Sequence, residues 1–213
     1  MKSLQIKEFK MALANNKIEH FWGWFKSIAE NIEENILMSE FTSELEERIS
    51  GIADIDWEIG PGVHSKWLFV LSPKGDRDLL KITKKIIICA PKIDEWEFYY
   101  AKPAKRWNLI FYIKYKDNDV LVDGSTWEYK LFEFPDGTFD IVFRPNNASN
   151  LSENDLWLAA CIIVDGEIGE ERRIEFIKNI EIVSDWDDGT SQKGNHLKLG
   201  VLNKLIPDLS VRK

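Results

Sequence analysis

Apolar and polar positions along the chain fall into two periods. Trp67-Leu68-Phe69-Val70-Leu71 is apolar at every position, the pattern of a strand covered on both faces. Ser72-Pro73-Lys74-Gly75-Asp76 turns, and Leu79, Ile82, Ile86 and Cys89 then recur at helical spacing, widened by Leu80, Ile87 and Ala90. Asp76 is placed to cap that helix by accepting a backbone N–H, and Pro91 to stop it. Trp96, Phe98 and Tyr100 alternate as the next strand. Strand, turn, helix, turn, strand over residues 67–103 is the expected folding centre.

Upstream, residues 4–50 read as helical. Leu4, Phe9 and Leu13 share a face of a short first helix, the Phe21-Trp22-Gly23-Trp24-Phe25 cluster follows, and Ile28, Ile32 and Ile36 recur every four residues. Ser39 or Thr42 caps a further helix with Leu45 and Ile49 inward. Residues 54–60 alternate acid with apolar, which predicts a half-buried strand with Ile55, Trp57 and Ile59 inside, pairing antiparallel with the Trp67 strand across Gly60-Pro61-Gly62. Asp54, Asp56 and Glu58 would line its outward face. A straight row of carboxylates is a poor calcium cage and a good protector of a sheet edge.

Downstream the period stays near two. Leu109, Phe111, Ile113 and Tyr115 alternate, Lys116-Asp117-Asn118-Asp119 turns, and Val120-Leu121-Val122 is a short strand. Trp127, Tyr129 and Leu131 begin another strand, whose phase shift at Phe132 and Phe134 predicts a bulge. Pro135-Asp136-Gly137 marks a hairpin, and Phe139, Ile141 and Phe143 form its second arm. Ser152 or Asn154 caps a helix with Leu156, Ala159, Ala160 and Ile163, ended by glycine turns at Gly166 and Gly169. Ile174, Phe176, Ile180 and Ile182 predict a strand interrupted at Lys178, and Leu199 to Ile206 a short closing helix.

Residues 54–101 and 126–183 share one order: strand, strand, helix, strand. No residue identity accompanies this order, so it is a pattern of elements only. The expectation is an α+β fold: a mixed or mainly antiparallel sheet, helices packed mainly on one side, room for two β-β-α-β halves, and a helical N-terminal cap. It is assigned to a single domain over residues 1–213, with a helical region 1–50, a sheet core 54–183, and a loop and short helix over 185–213.

Composition narrows the function classes. The chain has 213 residues, 44% hydrophobic and 30% charged, enough for a core without disulfide or metal staples. Its nine tryptophans and twelve phenylalanines suit broad packing between helices and sheet. The formal net charge of −8 argues against phosphate-backbone binding and suits a basic protein partner, so no nucleic acid is expected. Cys89 and Cys161, each on an apolar helix side, read as free thiols. No apolar signal core or membrane span occurs, and a cytoplasmic protein that does not engage a membrane is expected.

Candidate chemistry is sparse. His20, His64 and His196 fit no zinc spacing, Asp117, Asp119 and Asp123-Gly124 fail the calcium-loop spacing, and no phosphate loop, dinucleotide fingerprint or nucleophile elbow occurs. No catalytic residue, metal site or cofactor is assigned. The best local candidate for a ligand is the strand-to-helix loop of Ser72, Lys74, Gly75 and Asp76, with His64 beside it. A helix N-terminus favours anions and Lys74 adds charge, although Asp76 occupies the cap. Arg144 is expected to pair with Glu170 or Glu171.

Phe21-Trp22-x-Trp24-Phe25, Leu71-Ser72-Pro73-Lys74-Gly75, Ala90-Pro91 before Trp96-Glu97-Phe98, and Ile168-Gly169-Glu170 together resemble uncharacterised bacterial cytoplasmic proteins. The resemblance covers most of residues 20–183. It implies one domain and a bacterial source, and it transfers no activity. The functional expectation is a non-enzymatic protein-binding module, an adaptor or immunity-type inhibitor. Its acidic surface would include Glu30, Glu33, Glu34, Glu44 and Glu47. The alternative is a small-ligand-binding or hydrolytic enzyme with a cleft near residues 72–76.

Overall fold

Two strands that pair in parallel and follow one another in sequence need a crossover between them, and this chain makes two such connections. A computed structural model of the protein describes residues 2–32, 39–115, 118–146, 151–186, 195–196, 198 and 200–209. The chain divides into two units, Met1–Ala101 and Lys102–Lys213. The fold is α+β, with three mostly antiparallel sheets rather than one continuous sheet.

The first unit runs α1 (Lys2–Ile28), a 3-10 turn (Ala29–Asn31), α2 (Ser39–Ser50), β1 (Asp56–Pro61), β2 (Trp67–Ser72), α3 (Arg77–Ile88) and β3 (Trp96–Tyr99). Its sheet has the order β1-β2-β3, antiparallel then parallel, so β2 is paired on both sides. Phe69 and Leu71 of β2 meet Phe21, Trp22 and Phe25 of α1, Phe41, Leu45 and Ile49 of α2, Ile86 of α3 and Trp96 of β3 in one cluster. The helices thus all deliver side chains to one shared core. The Phe25 ring lies 5.0 Å from both Phe69 and Trp96. Trp22 donates its Nε1–H to the Ile86 carbonyl at 2.8 Å, which satisfies the polar atom of a buried indole.

Where a short first helix was expected, α1 runs unbroken through Gly23, an exposed position with open space where a side chain would point. The side chains of Leu4, Phe9 and Leu13, and residue Ile36, lie outside the described residues. Asp76 caps α3 as expected, accepting from the Asp78 and Leu79 N–H groups. Leu80, Thr83 and Ile86 are buried, and Leu79, Ile82, Ile87 and Ala90 pack partly buried against the core as expected, but Cys89 is exposed. The helix ends at Ile88, so the turn that would have carried Cys89 inward is not completed.

The second unit begins with a hairpin of its own, β4 (Ile110–Tyr115) and β5 (Asn118–Asp123). Of the turn expected over residues 116–119, Asn118 and Asp119 belong to β5, and residues 116–117 lie outside the described residues. After a 3-10 turn (Gly124–Thr126) come β6 (Glu128–Glu133), β7 (Phe139–Arg144), α4 (Glu153–Ile168), α5 (Glu170–Phe176), β8 (Ile177–Ile182), β9 (Asn195–His196) and α6 (Val201–Leu205). The sheet order is β8-β7-β6-β9, with β6 and β7 antiparallel and β7 and β8 parallel. Phe139, Ile141 and Phe143 of β7 pack against Ala159, Ala160, Ile163 and Val164 of α4.

Three expectations change here. The β6–β7 register is unbroken and Phe132 is exposed, so the phase shift there is not a bulge; the irregularity lies between Phe139 and Asp140 opposite β8. Residues 170–176 are helix, not strand. Ile174 and Phe176 fit a two-residue period, but Glu170 and Glu171 suit a helix's first turn after Gly169, whose φ of 83° ends α4. Gly166 does not end α4, which runs to Ile168; the Trp107 ring lies 2.3 Å from a Cβ added there, which favours glycine at this position.

Both units therefore share one topology: β1-β2-α3-β3 and β6-β7-α4/α5-β8, each antiparallel then parallel about a central strand. Replacing Phe25, fully buried among six other rings, tests the first core. Phe25→Ala is expected to cost about 3–5 kcal/mol in urea unfolding followed by tryptophan fluorescence, and less than about 1 kcal/mol contradicts this packing. The thiols give a second test. Burial pushes the Cys161 thiol up to about 11, whereas Cys89 is exposed. One thiol should react quickly with a disulfide reagent at neutral pH, and the second only on unfolding.

Candidate functional site

The loop after β2 is drawn together, but not around an empty hollow. Pro73 to Asp76 forms a tight turn, with the Asp76 N–H donating to the Pro73 carbonyl at 2.8 Å. Lys74 and Gly75 both take positive φ, 53° and 77°. A lysine there is strained, and its bonds offset the strain. Its backbone N–H donates to the buried Ser72 hydroxyl at 3.3 Å, and its Nζ lies 2.6 Å from Asp54 and 3.3 Å from Asp56. The Asp54 hydrogen bond holds the Lys74 ammonium above its ordinary pKa. The outward carboxylates before and on β1 thus have a specific task, that of closing this end of the sheet.

His64 does not join this group. It precedes β2 while Lys74 follows it, so six strand residues, about 20 Å, separate them. The Val63 and His64 N–H groups donate to the Glu97 carboxylate, which fixes the β1–β2 connection at the opposite end. Ser72, Lys74, Gly75 and Asp76 meet; His64 stands apart and exposed. Glu30, Glu44 and Glu47 are exposed, with Glu44 held 2.6 Å from Arg48. Glu33 and Glu34 lie outside the described residues.

The matching end of the second unit is built from equivalent positions. Asp56 stands opposite Ser72, and Glu128 stands opposite Arg144. Both second strands are followed by proline, Pro73 and Pro145. Arg144 pairs with Glu128, not with Glu170 or Glu171: Nη2 lies 2.8 Å from Oε1, and Nε donates to Oε2 at 3.2 Å. The Trp186 indole N–H also donates to Glu128, at 2.7 Å. Register across the β6–β7 hairpin makes the Glu128–Arg144 pairing local, which is why it wins over a glutamate on a helix. Lys130 stands over the Trp186 ring at 4.5 Å.

The loop differs between the two ends. Residues 73–76 connect β2 to α3 and residues 145–152 connect β7 to α4; at the second end the described residues line an open crevice. It lies at the carboxyl ends of the parallel pair β7 and β8, beside the start of α4, where α/β sheets place ligands. Its volume is about 980 Å³, at the upper end for a small-molecule pocket. Arg144, Asn146, Glu153, Asn154, Ser184 and Asp185 supply its polar lining, and Trp157 and Leu156 its apolar wall. Trp157 is 50% exposed. Sequence reasoning missed the crevice, because its walls come from segments far apart in the chain.

A second charged group is buried where α4 meets α5. Arg173 donates to Asp165 and lies 3.8 Å from Glu170, which is fully buried. Burial raises the Asp165 carboxyl above its ordinary pKa, against the pull of Arg173. Glu170 exchanges bonds with Lys102: its N–H donates to the Lys102 carbonyl at 2.9 Å, and its carboxylate accepts from the Lys102 N–H at 3.2 Å. The Lys105 N–H donates to the Gly166 carbonyl at 2.7 Å. These groups fasten the incoming chain to the helices.

Among the described residues, no group of three or more His, Cys, Asp or Glu side chains is gathered as a metal site, and no helix is long and apolar enough to cross a membrane. No protein-family model, curated protein or solved structure matches the chain.

Glu128→Ala would leave Arg144 and the Trp186 indole without their shared acceptor. Because Arg144 retains some access to water, a loss of about 1–3 kcal/mol in unfolding free energy is expected, with a displaced Trp186 indole N–H resonance. An unchanged Trp186 signal contradicts the network.

Proposed function

We propose that the protein is a binding module that recognises a basic protein partner through an acidic surface on its first unit, and that it works without catalysis. The observation that carries this reading is the division of faces on α2. Phe41, Leu45 and Ile49 are buried in the core, while Glu40, Glu44, Glu46 and Glu47 are exposed on the other side. A helix anchored this firmly presents its carboxylates on a rigid support. Rigid presentation limits the ordering cost of association. Glu30, exposed after α1, adds to the same charge sign, and the chain's net charge of −8 would steer a basic partner towards it.

Not every carboxylate is equivalent. Glu46 accepts from the Trp57 indole at 2.7 Å and Glu44 pairs with Arg48, so each already supports local structure. Glu40 and Glu47 project from the same helix. An adaptor or an immunity-type inhibitor would both use such a face, and both predict a strongly salt-dependent association rate.

The test is co-purification from the producing cells, comparing the native chain with Glu30→Lys/Glu44→Lys/Glu47→Lys. The native chain is expected to retain a basic partner. The variant is expected to weaken it at least about tenfold while keeping its fold, with the loss concentrated in the association rate. Undiminished retention by the variant contradicts the reading.

A further inference from the structure

We propose that the crevice at the carboxyl ends of β7 and β8 is a second binding site, which takes a short polypeptide segment by an arginine or lysine side chain. The argument begins with charge. Among the described residues Arg144 is the one cation lining the crevice, and Glu128 already neutralises it through two bonds. Asp185 also attracts Arg144, and Glu153 lines the crevice at the start of α4. With Arg144 neutralised by Glu128, the two lining carboxylates Glu153 and Asp185 leave the described lining with an excess of negative charge. An anionic ligand would meet that excess; a cationic one would relieve it.

The apolar wall points the same way. Trp157 is half exposed beside Leu156, on a helix whose other face is fully packed. An indole face is the best aromatic partner for a guanidinium or ammonium group, and the aliphatic stem of such a side chain covers apolar surface as its head pairs with acid. The volume, about 980 Å³, is several times that of one side chain, so the occupant brings backbone with it. Asn146 and Asn154 offer amides to that backbone, though Asn146 already donates to the Thr126 carbonyl at 2.6 Å. The first unit offers a comparison: at its equivalent end the chain's own Lys74 occupies Asp54 and Asp56. In the second unit Glu128 holds the chain's own Arg144 in the same way, and Glu153 and Asp185 line the crevice beyond that pair.

Choosing a peptide as the source rests on the basic-partner reading; the cation preference of the crevice does not. The experiment is a titration of the isotope-labelled full chain at low ionic strength, following the Trp157 indole N–H resonance, identified by its loss in Trp157→Phe. The probes are acetyl-Ala-Arg-Ala-amide, acetyl-Ala-Glu-Ala-amide and spermidine. The arginine peptide is expected to shift the Trp157 signal saturably, and Glu153→Gln and Asp185→Asn each to weaken it about fivefold. The glutamate peptide should leave the signal in place. No saturable shift with the arginine peptide, an equal response to the glutamate peptide, or undiminished binding in both variants would each overturn the proposal. Tighter binding of spermidine than of the arginine peptide would replace the peptide with a free polyamine and overturn its source. Glu44→Lys/Glu47→Lys is expected to leave this titration unchanged, so the two binding readings fail separately.

Discussion

Pairing of a central strand on both sides is the constraint from which each unit follows. β2 bonds to β1 on one side and β3 on the other, and β7 bonds likewise to β6 and β8. The antiparallel neighbour needs only a short connection. The parallel neighbour forces the chain to cross the sheet, and a helix is the economical way to do so while satisfying its own backbone. That helix must bury a stripe, so it brings Ile86 in one unit and Ala159, Ala160, Ile163 and Val164 in the other onto the central strand.

The same constraint concentrates polar chemistry at one end of each sheet. The carboxyl end of the central strand, the start of the crossover helix and the first residue of the antiparallel neighbour necessarily meet there. Each unit places an acid from the first strand beside a cation that ends the second: Asp56 with Lys74, and Glu128 with Arg144. In the first unit a tight turn through Lys74 and Gly75 folds the cation onto its acids. In the second the cation lies on the strand itself, and an open crevice lies beside it. One topology thus yields a closed end and an open one.

Much of this was legible in the chain. Period-two alternation located most strands, the all-apolar run at Trp67 identified a doubly covered strand, and Asp76 and Ser152 announced helix starts that their side chains do cap. The repeated strand-strand-helix-strand order was readable because each crossover helix separates two strand patterns. What escaped depends on distant partners. Residues 170–176 carry a spacing compatible with either period, and contacts of Glu170 with Lys102 and of Arg173 with Asp165 accompany the helix. Gly166 looked like a stop until the Trp107 ring accounted for it. His64 and Lys74 are ten positions apart in sequence, yet an extended strand keeps them at opposite ends. The crevice was invisible because its walls come from β7, α4 and the chain after β8.

Residue-resolved hydrogen exchange under native conditions tests the two-centre account most directly. If each unit depends on its doubly paired strand, the amides of Phe69 to Leu71 and of Ile141 to Phe143 exchange last within their own units, after those of β1, β3, β6 and β8. Slower exchange in the β4–β5 hairpin or in an edge strand than in β2 and β7 would contradict it.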